Sequence, residues 1–594
     1  MNDTALLCRE ILAAPASSQH DLAARLGWSV GTVNRLVRDA QRTGYLDKTG
    51  GTYHLTPAGR DWMTQFRVDN AIILAAGFGS RFVPLTYETP KGLIKVQGVP
   101  MIERQIEQLR AAGVTDITVV VGYLKEKFDY LIDTYGVRLV YNPEYKTKNN
   151  FASLYHAREH LRNTYILVAD HWIDQSVFHE YESESWQSCA WFDHAPSEWQ
   201  VTVGPYGRIT KITSGVDHGW AMMGPAFFDA AFSATYRELL EAYYTRPGTD
   251  DYFWEHIVKE NLAVLPMYIN RQPEGNVREF ETFEDLRAYD PSYLFDTNSA
   301  SLDIIAQTFG IDSSQIKAIK PLKDGMTNLS FLFQAGDDTY VFRQPGAGTD
   351  LLIDRQGEKT SYELVAPLGI TDEICYFDGD TGVKISRYYA GARVSGPFDE
   401  TDVRTVMALL RTIHEAGITP KHRFDIAERI DYYEGLATQN NSITFADYEM
   451  VRRQADELLA FRRALAIPEV LCHIDYVYTN ILHLPDGTLR VIDWEYSGAA
   501  DPLIDVAMYA IYAIYNRSQM DAALRHYLGR APTRQEEARL YLYVALGGFL
   551  WSLWTEYKQG MGDEFGQYSL DMYRYMKDYY RVLTTEGYLD ELGA

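Results

Sequence analysis

Between residues 473 and 505, acidic and amide side chains fall at spacings suited to moving a phosphoryl group: His473-x-Asp475-x4-Asn480, an apolar run to Asp493-Trp-Glu495, then Asp505. A carboxylate such as Asp475 can accept or orient a hydroxyl proton, while Asn480 and Asp493 suit a hard divalent cation on a polyphosphate. His473 would brace the loop. A second cluster opens at Ala71, where AIILAAGFGSRFVPLTYETPKGLIKV begins as a buried strand and breaks at Gly77 and Gly79. Their missing side chains let backbone N–H groups approach a triphosphate, and Arg81 and Lys91 supply fixed positive charge. Asp170 follows the apolar run YILVA, at the C-terminal end of a strand, where open α/β sheets place ligands.

Three stretches of different texture must hold these residues. From Val68 to about Phe295, β-rich runs (Ala71–Ala75, Ile117–Val121, Tyr165–Val168) alternate with helical-period stretches such as Met101–Ala112, the rhythm of βαβ units around a parallel sheet. The polar patch 296–301 reads as a linker. Beyond it, short strand-like segments reach about Ile385 and long amphipathic helical patterns follow, a small sheet lobe before a larger helical lobe. At the other end, SQHDLAARLG (18–27) predicts one helix, and Ser29 can cap a second that ends at Gly44. Strand, Gly-Gly turn, strand and a new helix from Thr56-Pro57 come next.

Composition narrows the classes. The 594 residues are 46% apolar and 23% charged, which excludes disordered and collagen-like chains. A formal net charge of −25 is a poor match to a polyanion binder, and residues 1–67 carry only +2, so any nucleic-acid contact is local. Cys8, Cys189, Cys375 and Cys472 show neither disulfide-framework nor zinc spacing, which fits a reducing cytoplasm. MNDTALLCREI lacks the pattern of a secretory signal. The uncharged stretch Leu540–Thr555 is 16 residues long and reads as a buried helix, not a membrane span. The 43 tyrosines and 11 tryptophans are an excess, and 12 of those tyrosines fall between Tyr509 and Tyr580.

The first 65 or so residues resemble the winged-helix family of transcriptional regulators. That resemblance implies a second helix in the DNA major groove with Thr32, Asn34, Arg35 and Arg38 as contacts, or else a docking or dimerisation module. LAAGxGSR, Pro90-Lys91 and the following apolar strand resemble the nucleoside-triphosphate transferase family. Such enzymes join a nucleotide to a phosphate-bearing acceptor and release pyrophosphate. The resemblance implies Ala76, Gly77 and Gly79 at the nucleotide, Lys91 at the α-phosphate, Arg81 at the β/γ end and Asp170 on Mg2+. NPEYKTKNNFASLYHARE (142–159) and REFETFEDL (278–286) narrow it to bacterial CTP:phosphocholine cytidylyltransferases. On that likeness Asn150 and Ser153 lie near the base or ribose, Glu281 replaces the family's Asp as second metal ligand, and Glu279, Trp199 and Trp254-Glu255 surround the trimethylammonium head.

Residues 318–580 are similar to the choline kinase and aminoglycoside phosphotransferase superfamily, and IDWEY specifically to choline and ethanolamine kinases. The likeness implies Thr327 and Asn328 at the ATP phosphates, in KDGMTNLSFLF with Asp324 replacing a commoner glycine. Arg343 falls at the position of the protein-kinase strand lysine, with Glu358 as its ion-pair partner in the nucleotide site. Glu495, Tyr512, Trp551 and Trp554 form the implied choline cage.

The expected fold is multidomain α/β and α+β: a winged helix-turn-helix over 1–67, a Rossmann-like nucleotidyltransferase domain over 68–297 and a bilobal protein-kinase-like domain over 302–594. The expected function is a cytoplasmic bifunctional enzyme that uses ATP, CTP and Mg2+ to turn choline into phosphocholine and then CDP-choline, for decorating surface glycans or lipids. One rival keeps the chemistry on ethanolamine, an aminoalkyl phosphonate or a sugar phosphate. The other is a transcriptional regulator sensing CTP or choline.

Overall fold

In the computed structural model, which describes residues 3–16, 18–194, 198–215, 218–297, 299–322, 328–346, 349, 353–561 and 565–593, the run at Ala71 becomes the strand Asn70–Ala75 inside a nine-stranded sheet. It pairs in parallel with Ile117–Val121 on one side and Thr164–Val168 on the other. All three strands are almost wholly buried, which is why they read as continuous apolar runs. Beyond Thr164–Val168 the sheet turns antiparallel through Gly219–Phe228, so it is mixed, not purely parallel. Helix Met101–Ala111 sits where its periodicity placed it.

The winged helix packs in the same compact unit as this sheet. Ser18 and Ser29 cap the helices Gln19–Leu26 and Val30–Arg42, and the strands Leu46–Thr49 and Thr52–Leu55 form the wing. The second helix stops two residues short of Gly44. A further helix, Asp3–Ala13, was not expected; Leu7 and Ile11 bury it against Leu22, Val33 and Leu36. Arg9 joins this module to the sheet domain through an ion pair with the buried Glu182 at 2.9 Å.

Contact density separates Met1–Ala306 with Ile311–Ser314 from Gln307–Gly310 with Gln315–Ala594. The expected linker is shorter than its composition implied, because Ala300 and Ser301 already belong to helix Ala300–Phe309. The second unit carries a five-stranded antiparallel sheet, ordered Ile316–Pro321, Asn328–Ala335, Asp338–Pro345, Lys384–Arg387, Ile374–Phe377, and then a helical body. Its longest helix, Arg534–Gly560, is apolar all round from Leu540 to Leu550 because other helices surround it. Among the described residues no helix is long and apolar enough to cross a membrane.

Candidate active sites

The first site lies at the C-terminal ends of the parallel strands. Gly79 adopts φ +68°, and a Cβ there would sit 3.1 Å from the Lys91 Cβ. At Gly92 a Cβ would meet the Ala169 Cβ at 2.7 Å. These two bare positions let the loop bring Lys91 against Asp170. The Lys91 Nζ donates to Asp170 Oδ2 at 2.7 Å and lies 3.4 Å from Glu279 Oε1. Burial opposes the ammonium charge, but Asp170 and Glu279 outweigh it and raise Lys91. Burial likewise works against Glu279, yet His171 and Lys91 hold its carboxyl down at about 2.

Glu279 is therefore a hub between Lys91, His171 and Arg81, where the family likeness had put it at the amine. Arg81 pairs with Glu281. One carboxylate oxygen each of Glu198, Glu279 and Glu281 falls within 4.8 Å of the others. Asp170 is not one of that trio but is joined to Glu279 through Lys91, and its buried Oδ1 lacks any hydrogen-bond partner. A buried, unpartnered carboxylate oxygen beside further hard oxygen donors fits a divalent cation.

A cavity of about 460 Å3 runs past Gly77, Gly79, Arg81, Lys91, Asp170, Trp199 and Glu255. A smaller one of about 170 Å3 shares Gly77, Lys91 and Asn150 with it and adds Ala76 and Ser153. Ser153 Oγ accepts from Asn142, and Asn150 Oδ1 accepts from the Trp254 amide. Trp254 itself is a correction. Only 2% exposed, its indole packs 5.5 Å from the Phe228 ring in the core, and Phe253 lines the cavity in its place. Trp199 does line it, with Lys259 Nζ 4.6 Å from its ring centre. Burial, with Glu198 and Glu279 nearby, pushes the Glu255 carboxyl up to about 8, and its Oε2 has no partner. His171, Gln187, Glu198 and Phe253 were missed by the sequence reading; His171 adjoins Asp170, Glu198 adjoins Trp199 and Phe253 adjoins Trp254, while Gln187 has no such neighbour.

The second site is a cavity of about 490 Å3 in the C-terminal unit. Asp505, fully buried, accepts from the His473 and Ile474 amides at 2.8 and 2.6 Å and so fixes the loop between strand Val470–Cys472 and Asn480. His473 Nε2 lies 3.0 Å from Ile492 O, and burial lowers its imidazole to about 4. Asn480 Nδ2 donates to Asp475 Oδ2 at 2.8 Å. Burial, reinforced by Asp493 and Glu495, pushes Asp475 up to about 8, as befits a proton acceptor working near neutral pH. Burial also raises Asp493.

Arg343 forks onto Glu358 at 2.6 and 2.9 Å and reaches Asp493 at 3.3 Å. Glu358 is 1% exposed and does not line the cavity, so it anchors Arg343 and is no nucleotide contact. Asn328 and Arg355 both donate to Glu495, at 3.0 and 3.1 Å. Thr327 and Asp324 lie outside the described residues. At the other end of the cavity Tyr512, Trp551 and Trp554 are joined by Tyr496 and Tyr568, which the sequence reading missed. Trp551 meets Tyr496 edge-on at 5.5 Å and Trp554 at 6.1 Å, and Tyr512 lies 6.3 Å from Tyr568.

On the winged helix, Arg35 and Arg38 are exposed, and no ion pair engages them among the described residues. Thr32 and Asn34 are half-buried; Asn34 donates to Gln19 and Thr32 Oγ1 lies 2.8 Å from Ser29 Oγ.

Family models bear on all three parts. Residues 71–179 match the MobA-like NTP transferase domain, residues 318–543 the phosphotransferase enzyme family and residues 2–47 the winged helix-turn-helix DNA-binding family. The chain is an enzyme that joins a nucleotidyltransferase to a phosphotransferase. Choline-phosphate cytidylyltransferase of Streptococcus pneumoniae is 36% identical over 217 residues, 36% of this chain and 95% of that protein. The 2-aminoethylphosphonate cytidylyltransferase of Lancefieldella rimae is 38% identical over 230 residues, 38% of this chain and 94% of that protein. The crystal structure of choline kinase LicA from Streptococcus pneumoniae is 30% identical and covers 48% of this chain and 100% of that one, with a TM-score of 0.42. The chain belongs to the choline-phosphate cytidylyltransferase family, fused to a choline-kinase-like phosphotransferase domain.

Proposed function

We propose that the chain phosphorylates choline with ATP and couples the resulting phosphocholine to CTP, giving CDP-choline and pyrophosphate. The observation that carries this reading is the fusion itself. A kinase transfers phosphate to a hydroxyl and makes an O–P ester, so it can supply phosphocholine but never a phosphonate, whose phosphorus is bonded to carbon. Aromatic rings favour a quaternary ammonium over a primary one, which needs hydrogen-bond acceptors. Glu495, one carboxylate of the C-terminal cavity, is engaged by Arg355 and Asn328.

In the kinase site Asp475 accepts the choline hydroxyl proton as the oxygen attacks the γ-phosphorus and ADP leaves. Asn480 and Asp493 would hold Mg2+, which supplies charge neutralisation on the phosphates. In the cytidylyltransferase site the acceptor phosphate is already ionised and needs no base. Lys91 faces the negative charge gathering at the α-phosphate, with Arg81 towards the leaving pyrophosphate. Asp170 and Glu281, with Glu198 and Glu279 close by, would hold that site's Mg2+. The three buried cysteines of the four suit a reducing cytoplasm, and Arg35 and Arg38 are the surface for a DNA contact.

Full-length protein with Mg2+, ATP, CTP and either choline or ethanolamine, followed by mass spectrometry, tests the reading. CDP-choline is the expected product. No CDP-linked product from either amine would refute it.

A further inference from the structure

Asp493 holds φ +67°, a left-handed conformation that a residue with a side chain keeps only where its surroundings fix it. Its amide N–H donates to Tyr362 Oη at 3.1 Å. Tyr362 is 3% exposed, on the helix Arg355–Val365 that also carries Glu358. The same oxygen accepts from Lys384 Nζ at 2.6 Å, and that ammonium lies 4.3 Å from the centre of the Tyr362 ring. A phenol oxygen has two acceptor positions, and both are filled.

Lys384 is 5% exposed and opens the strand Lys384–Arg387 at the cavity wall. Its nearest carboxylate oxygens, on Asp372 and Glu358, lie 3.9 and 4.0 Å away. The closest partner of this buried charge is thus a neutral phenol, a poor arrangement for stability alone. Neither residue belongs to a motif that points to phosphoryl transfer.

From these contacts we propose that Lys384 and Tyr362 are positioning residues for Asp493: the ammonium holds the phenol oxygen in place, and the phenol oxygen fixes the backbone that presents the Asp493 carboxylate. The proposal rests on the phosphotransferase reading of this cavity, and not on choline as its substrate. Asp493 reaches Arg343 with its side chain while its main chain is tied to Tyr362, so the carboxylate is held from both its ends before a nucleotide arrives.

The test compares Tyr362→Phe, Lys384→Met and Lys384→Arg with the wild type in the full chain. Four quantities are read: Mg·ATP binding by calorimetry without any alcohol, the Mg2+ concentration for half-maximal kinase rate, kinase kcat and KM, and cytidylyl transfer to added phosphocholine. Losing the hydrogen bonds from the Asp493 amide and Lys384 in Tyr362→Phe should weaken Mg·ATP binding and lower kinase kcat, each by at least roughly tenfold. The Mg2+ requirement should rise several-fold and the KM for choline should hold. Lys384→Met should behave alike, Lys384→Arg should recover part of the loss, and cytidylyl transfer should be unchanged throughout. Because calorimetry needs no alcohol, it tests the pair even if choline proves the wrong substrate. Unchanged Mg·ATP binding and Mg2+ requirement in Tyr362→Phe would overturn the proposal, as would a fall in kcat alone that tracks a lower melting temperature.

Discussion

Glu255 gives the cytidylyltransferase site a pH dependence whose sign and size follow from its surroundings. Burial, helped by Glu198 and Glu279, pushes its carboxyl up to about 8, so at pH 6.5 it is neutral and the cationic head of phosphocholine meets no charge there. Raising the pH ionises it, from roughly 3% at pH 6.5 to roughly 75% at pH 8.5 for a group titrating near 8. At an effective dielectric of about 20, a cation some 5 Å away gains roughly 3 kcal/mol from the ionised form, more than a hundredfold in affinity. Binding therefore tracks the ionised fraction, and the KM for phosphocholine should fall roughly 20-fold from pH 6.5 to 8.5. The acceptor phosphate, with a second pKa near 6, changes its own charge state by less than about twofold over that span. The assay is pyrophosphate release with added phosphocholine and saturating CTP, so the kinase site plays no part. Glu255→Gln should raise KM several-fold above the wild type's value at pH 6.5 and hold it there at every pH. A wild-type KM that stays within twofold across the range, or a Gln variant that keeps the slope, would refute the role of Glu255.

Asp475→Ala should block choline phosphorylation while added phosphocholine still becomes CDP-choline, and Lys91→Ala should make phosphocholine accumulate; product ratios by mass spectrometry decide both. Trp551→Ala should raise the KM for choline roughly 30-fold, the equivalent of a desolvated cation–π contact of about 2 kcal/mol, and affect ethanolamine less. Glu358→Gln leaves the buried Arg343 charge short of its forked partner and should destabilise the C-terminal unit by about 3–5 kcal/mol, seen in its calorimetric transition, with the N-terminal transition unmoved. If the winged helix binds DNA, Arg35→Ala with Arg38→Ala should abolish a salt-dependent gel shift without altering either transferase rate.

Legibility in the sequence followed the range of the interaction. The strands at Ala71, Ile117 and Thr164 were plain because burial on both faces writes an uninterrupted apolar run. Lys91, Asp475, Asn480 and Asp493 were legible because short loops fix their spacing. Lys384, Tyr362 and Tyr568 were not, since each reaches its site from an element with no local signature, and only tertiary packing brings it there. Trp254 shows the converse error: an aromatic beside an acid reads as half of a cation pocket, yet on helix Trp254–Glu260 the two residues point to different faces, one to the core and one to the cavity. Helix Asp3–Ala13 went unread because its apolar pattern is weak and its burial comes from the rest of the winged helix.

The carboxylate beside Lys91 in the first centre and the one beside Asn480 in the second are treated in opposite ways, and the difference reports the nucleophiles. In the first, Lys91 and His171 surround Glu279 and hold it ionised down to about 2, while the raised carboxyl of that cavity, Glu255, is the one proposed to face the cationic head and not the reacting phosphate. Such a centre suits a nucleophile that arrives already charged, as a phosphate does. In the second, Asp475 sits under burial and beside Asp493 and Glu495, and rises to about 8. An alcohol must lose a proton as it attacks, and a carboxyl titrating near the working pH is the group to receive it. The order of the reactions follows: the centre that sets Asp475 against the hydroxyl makes the phosphate ester, and the centre that sets Lys91 and Arg81 against the nucleotide phosphates uses the molecule that the first has already charged. Exchanging the acceptors tests this directly, since free choline offered with Mg2+ and CTP but no ATP should give no product, whereas phosphocholine under the same conditions should give full turnover.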